Sequence, residues 1–155
     1  MIKLSRLTDY GVVVMAQINQ SAGEVTTAQD LAQATGLPLP TVSKILKTLA
    51  KTYLLASHRG VHGGYSLSRP LDQITAAEFI EALDGPVALT ACVDGAEDGC
   101  ESETYCPLSG NWTRVNNAIR AALECVSLAD MTDPKDLFPV AAAGAAPVRG
   151  QHHGS

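Results

Sequence analysis

The 155-residue sequence lacks any apolar run of about 18 residues, so no helix long enough to cross a bilayer is expected. Its opening carries Lys3, Arg6 and Asp9 among the apolar positions and has no continuous apolar h-region, so a secretory signal is not expected either. A phosphate-binding glycine loop, a paired-carboxylate motif and a Cys–His pairing at a catalytic spacing are all missing, which argues against an enzyme. No two cysteines stand about two to four residues apart, the close pair common in structural zinc sites. The expected compartment is cytoplasmic, where thiols stay reduced and clustered cysteines bind metal more often than they form disulfides.

What is present is unevenly distributed. The net charge of −5 hides two halves. Residues 1–70 hold seven basic residues (Lys3, Arg6, Lys44, Lys47, Lys51, Arg59, Arg69) against three acids (Asp9, Glu24, Asp30), a net of +4. Residues 71–155 hold four basic residues against thirteen acids, a net of −9. Only the first half is suited to a phosphate backbone.

Local patterns divide the chain further. Thr8 is a plausible N-cap for a first helix, with Asp9 in its first turn and Tyr10, Val13, Val14 and Ile18 as its apolar stripe. Thr27 and Asp30 open a second helix that buries Leu31 and Ala34 and stops at Gly36. After Gly36-Leu-Pro-Leu-Pro40, a third helix runs from about Pro40 to Lys51, with Val42, Ile45, Leu46 and Leu49 apolar and Thr41, Ser43, Lys44, Lys47, Thr48 and Lys51 mostly facing elsewhere. That is a helix-turn-helix pattern. Two strand-like runs around Gly60, Gly63 and Gly64 read as a hairpin at the place of a wing. Thr75 to Glu78 forms a capping box for a helix through Phe79, Ile80 and Leu83. Farther on, Leu108, Trp112, Val115, Ile119, Ala122 and Val126 space as a short heptad seam that calls for a partner, most economically a twofold mate. From about Val140 the chain is Ala/Gly/Pro-rich and expected to be disordered, with His152 and His153 in a tail rather than a metal site.

Between these regions Cys92, Cys100 and Cys106 fall within fifteen residues of an acidic, glycine-containing stretch. Three thiolates on one short segment can converge on a soft metal centre, an iron–sulfur cluster, zinc or cuprous copper. Cys125 reads as a packed thiol.

The ordered set resembles the IscR/NsrR-type family of bacterial winged-helix regulators, and especially the branch that regulates the SUF iron–sulfur assembly system. The likeness rests on Leu4-Ser-Arg-Leu-Thr-Asp-Tyr-Gly11, the helix-turn-helix, the wing Arg59-Gly-Val-His-Gly-Gly-Tyr65, Glu78 to Asp84, the three cysteines and Ser127-Leu-Ala-Asp-Met131, over about residues 1–138. It implies a mainly α fold with a small β-hairpin wing: a winged helix-turn-helix head (1–85), a cysteine-rich cluster-binding loop (86–107), a dimerisation helix and terminal segment (108–138) and a disordered tail (139–155). It further implies a homodimer on a near-palindromic site in double-stranded DNA, with a two-iron or four-iron cluster on Cys92, Cys100 and Cys106. The fourth ligand varies by branch. Where one branch has a histidine this chain has Ser109, whereas Asp9 matches an aspartate that another branch donates from the partner subunit. Seven residues separate Cys92 from Cys100 where five is common, which leaves the nuclearity open.

Expected DNA contacts are Thr41 and Ser43 at base edges, Lys44 and Lys47 at phosphate or guanine, and Arg59, His62, Gly63 and Gly64 in the wing, with His58 and His62 each either a contact or a passive turn residue. Tyr65 is expected to pack the wing onto the head, and Trp112 to anchor the core beside the cluster. The implied function is a DNA-binding repressor of cluster-assembly genes that senses cluster status. A nitric-oxide-responsive repressor is the alternative, and an iron–sulfur carrier or electron-transfer protein the alternative of another class. Neither a membrane nor a small-molecule substrate is expected as a partner.

Overall fold

The computed structural model describes residues 3–89 and 111–133. Cys92, Cys100, Cys106, Leu108, Ser109 and the tail from Val140 lie outside the described residues. Helices α1 (Arg6–Gln20), α2 (Ala28–Thr35) and α3 (Leu39–Lys51) lead into a hairpin of β1 (Leu55–His58) and β2 (Gly64–Leu67). A 3-10 turn (Leu71–Gln73), α4 (Ala76–Asp84), α5 (Asn111–Glu124) and α6 (Leu128–Thr132) follow. The fold is mainly helical with one antiparallel hairpin, as expected, and among the described residues no helix is long and apolar enough to cross a membrane.

Helix α1 starts earlier than Thr8. Ser5 is its N-cap, accepting the Thr8 N–H on its hydroxyl at 3.2 Å, and Thr8 is a buried first-turn residue. Asp9 keeps its place in that turn. The buried stripe is Gly11, Val14, Met15 and Ile18, while Val13 is 47% exposed, contrary to expectation. The cause is the crossing of α4. A Cβ built on Gly11 would meet Phe79 and Leu83 at 2.8 Å, so α1 turns its glycine face to α4 and Val13 to solvent.

The complete capping box of Thr27 and Asp30 opens α2, and Gly36 closes it in the left-handed region at φ 73°. Leu31 is buried, but Ala34 is exposed; Ala28 and Ala32 pack on the core instead. In α3 the four expected apolar residues, Val42, Ile45, Leu46 and Leu49, are each 0% exposed. Burial of each is worth about 1.5–3 kcal/mol gross, so this stripe fixes the roll of the helix about its axis.

Thr75 caps α4 by accepting the Glu78 N–H at 3.1 Å. The expected reciprocal half is replaced: the Glu78 carboxylate pairs with Arg69, which also donates to the Gln73 carbonyl at 3.0 Å. Phe79 and Ile80 are buried, and Leu83 is half-buried against the same core.

Helix α5 runs back along α4. Ala76 N–H donates to the Val126 carbonyl and Leu128 N–H to the Ile74 carbonyl, both at 2.8 Å, and Arg120 pairs with Glu81 at 3.4 Å. Leu128, at the start of the capping-boxed α6, is fully buried in the head's core. Of the described residues of the expected α5 seam, Ile119 is half-buried and the others are exposed. Trp112, Val115 and Val126 are 46%, 44% and 39% exposed, so Trp112 is not a core anchor. The helix docks through a face roughly 80° around from that seam, where Asn116 is its one buried residue. Cys125, expected to be packed, is exposed.

Candidate nucleic-acid interface

The core stripe of α3 dictates what the helix shows to solvent. At about 100° per residue, Lys44, Lys47 and Lys51 fall together on the side opposite Val42, Ile45, Leu46 and Leu49, and all three are exposed. None forms an ion pair among the described residues. Thr41 and Ser43 are half-buried on the two flanks. The Thr48 hydroxyl donates to the Lys44 carbonyl at 2.9 Å, so it is occupied within the helix. The sequence pattern placed Lys51 on this side as well, although only Lys44 and Lys47 were expected to contact DNA.

The wing stands on a firm base. Leu54 and Leu55 are buried, and the pairing runs Leu55↔Leu67, Ala56↔Ser66, Ser57↔Tyr65, His58↔Gly64. Tyr65 packs partly buried against the core, as expected. It also exchanges two backbone hydrogen bonds with Thr26, at 2.9 and 2.8 Å, so the segment just before α2 acts as a third edge of the hairpin. Hence wing and helix-turn-helix are braced together through a residue that carried no sequence signal. His58 Nε2 lies 2.8 Å from Ser66 Oγ, which ties this histidine into the hairpin stem. Arg59, Val61 and His62 are exposed around the tip, with Val61 98% exposed.

Gly63 and Gly64 have intramolecular reasons to be glycine. A Cβ on Gly63 would lie 2.6 Å from the His58 carbonyl oxygen. On Gly64, at φ +155°, it would lie 2.6 Å from the Thr26 carbonyl oxygen. Their absent side chains let the wing close on itself and on the α1–α2 connection.

At the other end of the head, Asp9 is exposed at a groove of about 340 Å³ between α1, α4 and α6, floored by Val12, Phe79, Ile80 and Met131. Beside it, the Thr8 hydroxyl and the Ser5 N–H both donate to Asp84 Oδ2, at 2.8 and 3.0 Å. Partial burial pushes the Asp84 carboxyl up, but the hydrogen bonds from Ser5 and Thr8 outweigh it and hold the group below its ordinary value. Among the described residues no three His, Cys, Asp or Glu side chains converge on a metal position. A centre that used Asp9 would therefore draw its thiolates from Cys92, Cys100 and Cys106, outside the described residues.

Comparison with known proteins agrees with this arrangement. Residues 4–134 match the Rrf2 family, described as an iron-dependent transcriptional regulator. The chain is 34% identical over 131 residues to a helix-turn-helix-type transcriptional regulator of Mycobacterium tuberculosis, covering 84% of this chain and 81% of that one. It is similar to the solved structure of CymR, the global cysteine regulator of B. subtilis, with a TM-score of 0.61 and 27% identity over 85% of this chain and 97% of that one. It is likewise similar to IscR of T. potens, with a TM-score of 0.60 and 27% identity over 92% and 93% of the two chains. The head, the wing and the match over nearly all of the described residues lead to one conclusion: this chain belongs to the Rrf2 family of DNA-binding transcriptional regulators, and is not an enzyme.

Proposed function

We propose that the chain is a homodimeric repressor of iron–sulfur cluster-assembly genes whose grip on DNA is set by a cluster bound to Cys92, Cys100 and Cys106. The observation that carries the dimer is α5, whose apolar stripe through Trp112 and Val115 is exposed on the single chain. Such a stripe on a docked helix fits a twofold mate. In that arrangement the head (1–85) reads DNA, the segment 86–107 holds the cofactor, and 108–138 joins the two copies. Lys44, Lys47 and Lys51 contact phosphate or guanine, Thr41 and Ser43 reach base edges, and Arg59 and His62 follow the backbone beside the groove. Two such heads on a near-palindromic site sit roughly 34 Å apart.

The cluster reading is supported by the three cysteines of the sequence and by the likeness to IscR. Thiolates suit a two-iron or a four-iron centre, which when bound supplies a redox-sensitive, removable cross-link. Asp9, exposed and in no ion pair among the described residues, is free to act as a carboxylate donor across the dimer. That feature also favours a nitric-oxide-responsive repressor, since a carboxylate is a more exchangeable donor than a thiolate. A carrier or electron-transfer protein has no use for the helix-turn-helix head. The cofactor changes DNA affinity only through its preference for one arrangement of the heads.

The test is anaerobic purification followed by visible spectroscopy and iron analysis of the wild type and of Cys92→Ala, Cys100→Ala and Cys106→Ala. Loss of the visible bands in each variant is the expected result. A colourless, iron-free wild type that binds its operator at full strength overturns the cluster reading.

A further inference from the structure

Two buried polar residues stand out among the described residues, Thr8 and Asn116, at 2% and 3% exposure. They lie on different helices, 108 positions apart in sequence, yet both hydrogen-bond to one short stretch, residues 84–89. Thr8 donates to Asp84 at its start. Asn116 Nδ2 donates to the Val87 carbonyl at 2.8 Å, and its Oδ1 accepts the Leu89 N–H at 3.1 Å. The carboxamide thus pairs with the connecting backbone as a neighbouring strand would, one donor and one acceptor on alternate residues.

A buried carboxamide is a poor choice for packing alone, because it must be fully satisfied or it destabilises the helix that carries it. Asn116 is satisfied only when residues 87–89 lie against α5 in this register. A leucine there would dock α5 on α4 without caring where that stretch lies. The clamp therefore specifies position. Thr8 and Asp84 fix the near end of the same stretch to the first turn of α1, beside Asp9, and Cys92 follows Leu89 by three positions in the chain.

We propose that Asn116 is a positioning residue that couples the cofactor segment to α5: with Asp84 it holds residues 84–89 as a taut connection between the DNA-reading head and the dimerisation helix. The proposal rests on the reading of a cofactor-controlled dimer given above. A change in how the segment after Leu89 is held is then transmitted to α5, and not absorbed by slack in the chain before it.

The experiment compares wild type with Asn116→Leu, which keeps the branched heavy-atom skeleton and removes both hydrogen bonds, and Asn116→Gln, which keeps the carboxamide on a longer stem. Amide hydrogen exchange at Leu89 is measured on the cofactor-free protein, and operator affinity is measured with and without cofactor. In Asn116→Leu, Leu89 protection is expected to fall by about tenfold. The ratio of the two operator affinities is expected to collapse to within about threefold of unity, with cofactor content, cofactor-free affinity and helicity kept. Partial recovery of the ratio in Asn116→Gln is the mark of the carboxamide itself. Unchanged Leu89 exchange, or an unchanged affinity ratio in loaded protein, overturns the proposal. If the wild type carries no cofactor, the cluster reading fails; the exchange at Leu89 still decides whether Asn116 clamps the stretch, and the coupling role falls with the cluster.

Discussion

Helices α3 and α5 are close in length, thirteen and fourteen residues, and opposite in what they bury. On α3 four apolar residues vanish into the head, and the lysines are left outside. On α5 the one residue that vanishes is an asparagine, Ile119 and Leu123 are half-buried, and Trp112 and Val115 are left outside. The first helix is finished within its own chain and needs only an anionic partner. The second is held through Asn116, the half-buried Ile119 and Leu123 and a few backbone contacts at its end, which leaves exposed the Trp112–Val115 stripe that we propose meets a second copy. On the proposed function, where a helix keeps its apolar stripe separates a reading element from an assembling one, although both carry amphipathic sequences.

The largest test of that contrast is a pair of substitutions. Leu49→Ala on α3 should destabilise the chain by about 2–5 kcal/mol, the cost of a cavity in a closed core, seen as a fall in the unfolding midpoint. Trp112→Asp on α5 should change intrinsic helicity little and convert a dimer to monomer in sedimentation. A Trp112→Asp protein that unfolds as readily as Leu49→Ala would erase the distinction.

Next in size is the wing base. Gly64→Ala places a methyl 2.6 Å from the Thr26 carbonyl oxygen at a backbone angle suited to glycine, and should cost about 1–3 kcal/mol. Gly23→Ala is the informative control: it shares a positive φ but has nothing within 4 Å. The difference between the two measures the close approach of wing and α1–α2 connection apart from backbone strain. Equal losses would show that the brace at Thr26 contributes nothing.

The lysines of α3 should act on binding and not on folding. Lys44→Ala and Lys47→Ala should each weaken operator binding by about 1 kcal/mol and lower the slope of log affinity against log salt by about one. Lys51→Ala should do the same if the exposed arc of three is the contact surface. Unchanged salt slopes for all three would move the interface off this face.

The asymmetry of α3 and α5 also explains what the sequence could and could not disclose. In α3 the apolar spacing and the burial coincide because the partner surfaces are its immediate neighbours, so period alone finds the core. In α5 the heptad period correctly marked an apolar stripe, but period does not say which surface covers it, and the chain's own core takes the Asn116 face instead. Asn116 was legible only as a weak helix former in mid-helix; its partners, Val87 and Leu89, are nonlocal backbone atoms that no pattern encodes. Thr8 was misjudged for a related reason. Ser5 and Thr8 are both eligible caps, and Asp84, which claims the Thr8 hydroxyl, lies at the far end of α4. Gly11 reads as an indifferent helix residue until Phe79 and Leu83 are placed against it.

The smallest effect probes the clasp that Asp84 makes between the first turn of α1 and the connection after α4. Its carboxyl is held below the ordinary value of 3.8 by Ser5 and Thr8, so the folded chain takes up that proton less readily than the unfolded one. The stability this confers is complete above the ordinary value and is lost as pH falls through the folded value. Asp84→Asn keeps the shape and removes the charge, and its cost at neutral pH should be only about 0.5 kcal/mol, because the carboxylate faces solvent and is screened. The informative quantity is the difference in stability between wild type and variant across pH. It should stay level from about pH 8 to about pH 5 and shrink below about pH 4. Asp130, lowered by the N–H and hydroxyl of Ser127, titrates in the same direction, but it is present in both proteins and cancels in the difference. A difference that persists undiminished into acid would mean that Asp84 serves as a neutral spacer at the α1 terminus, and the charged clasp between head and connection would have to be abandoned.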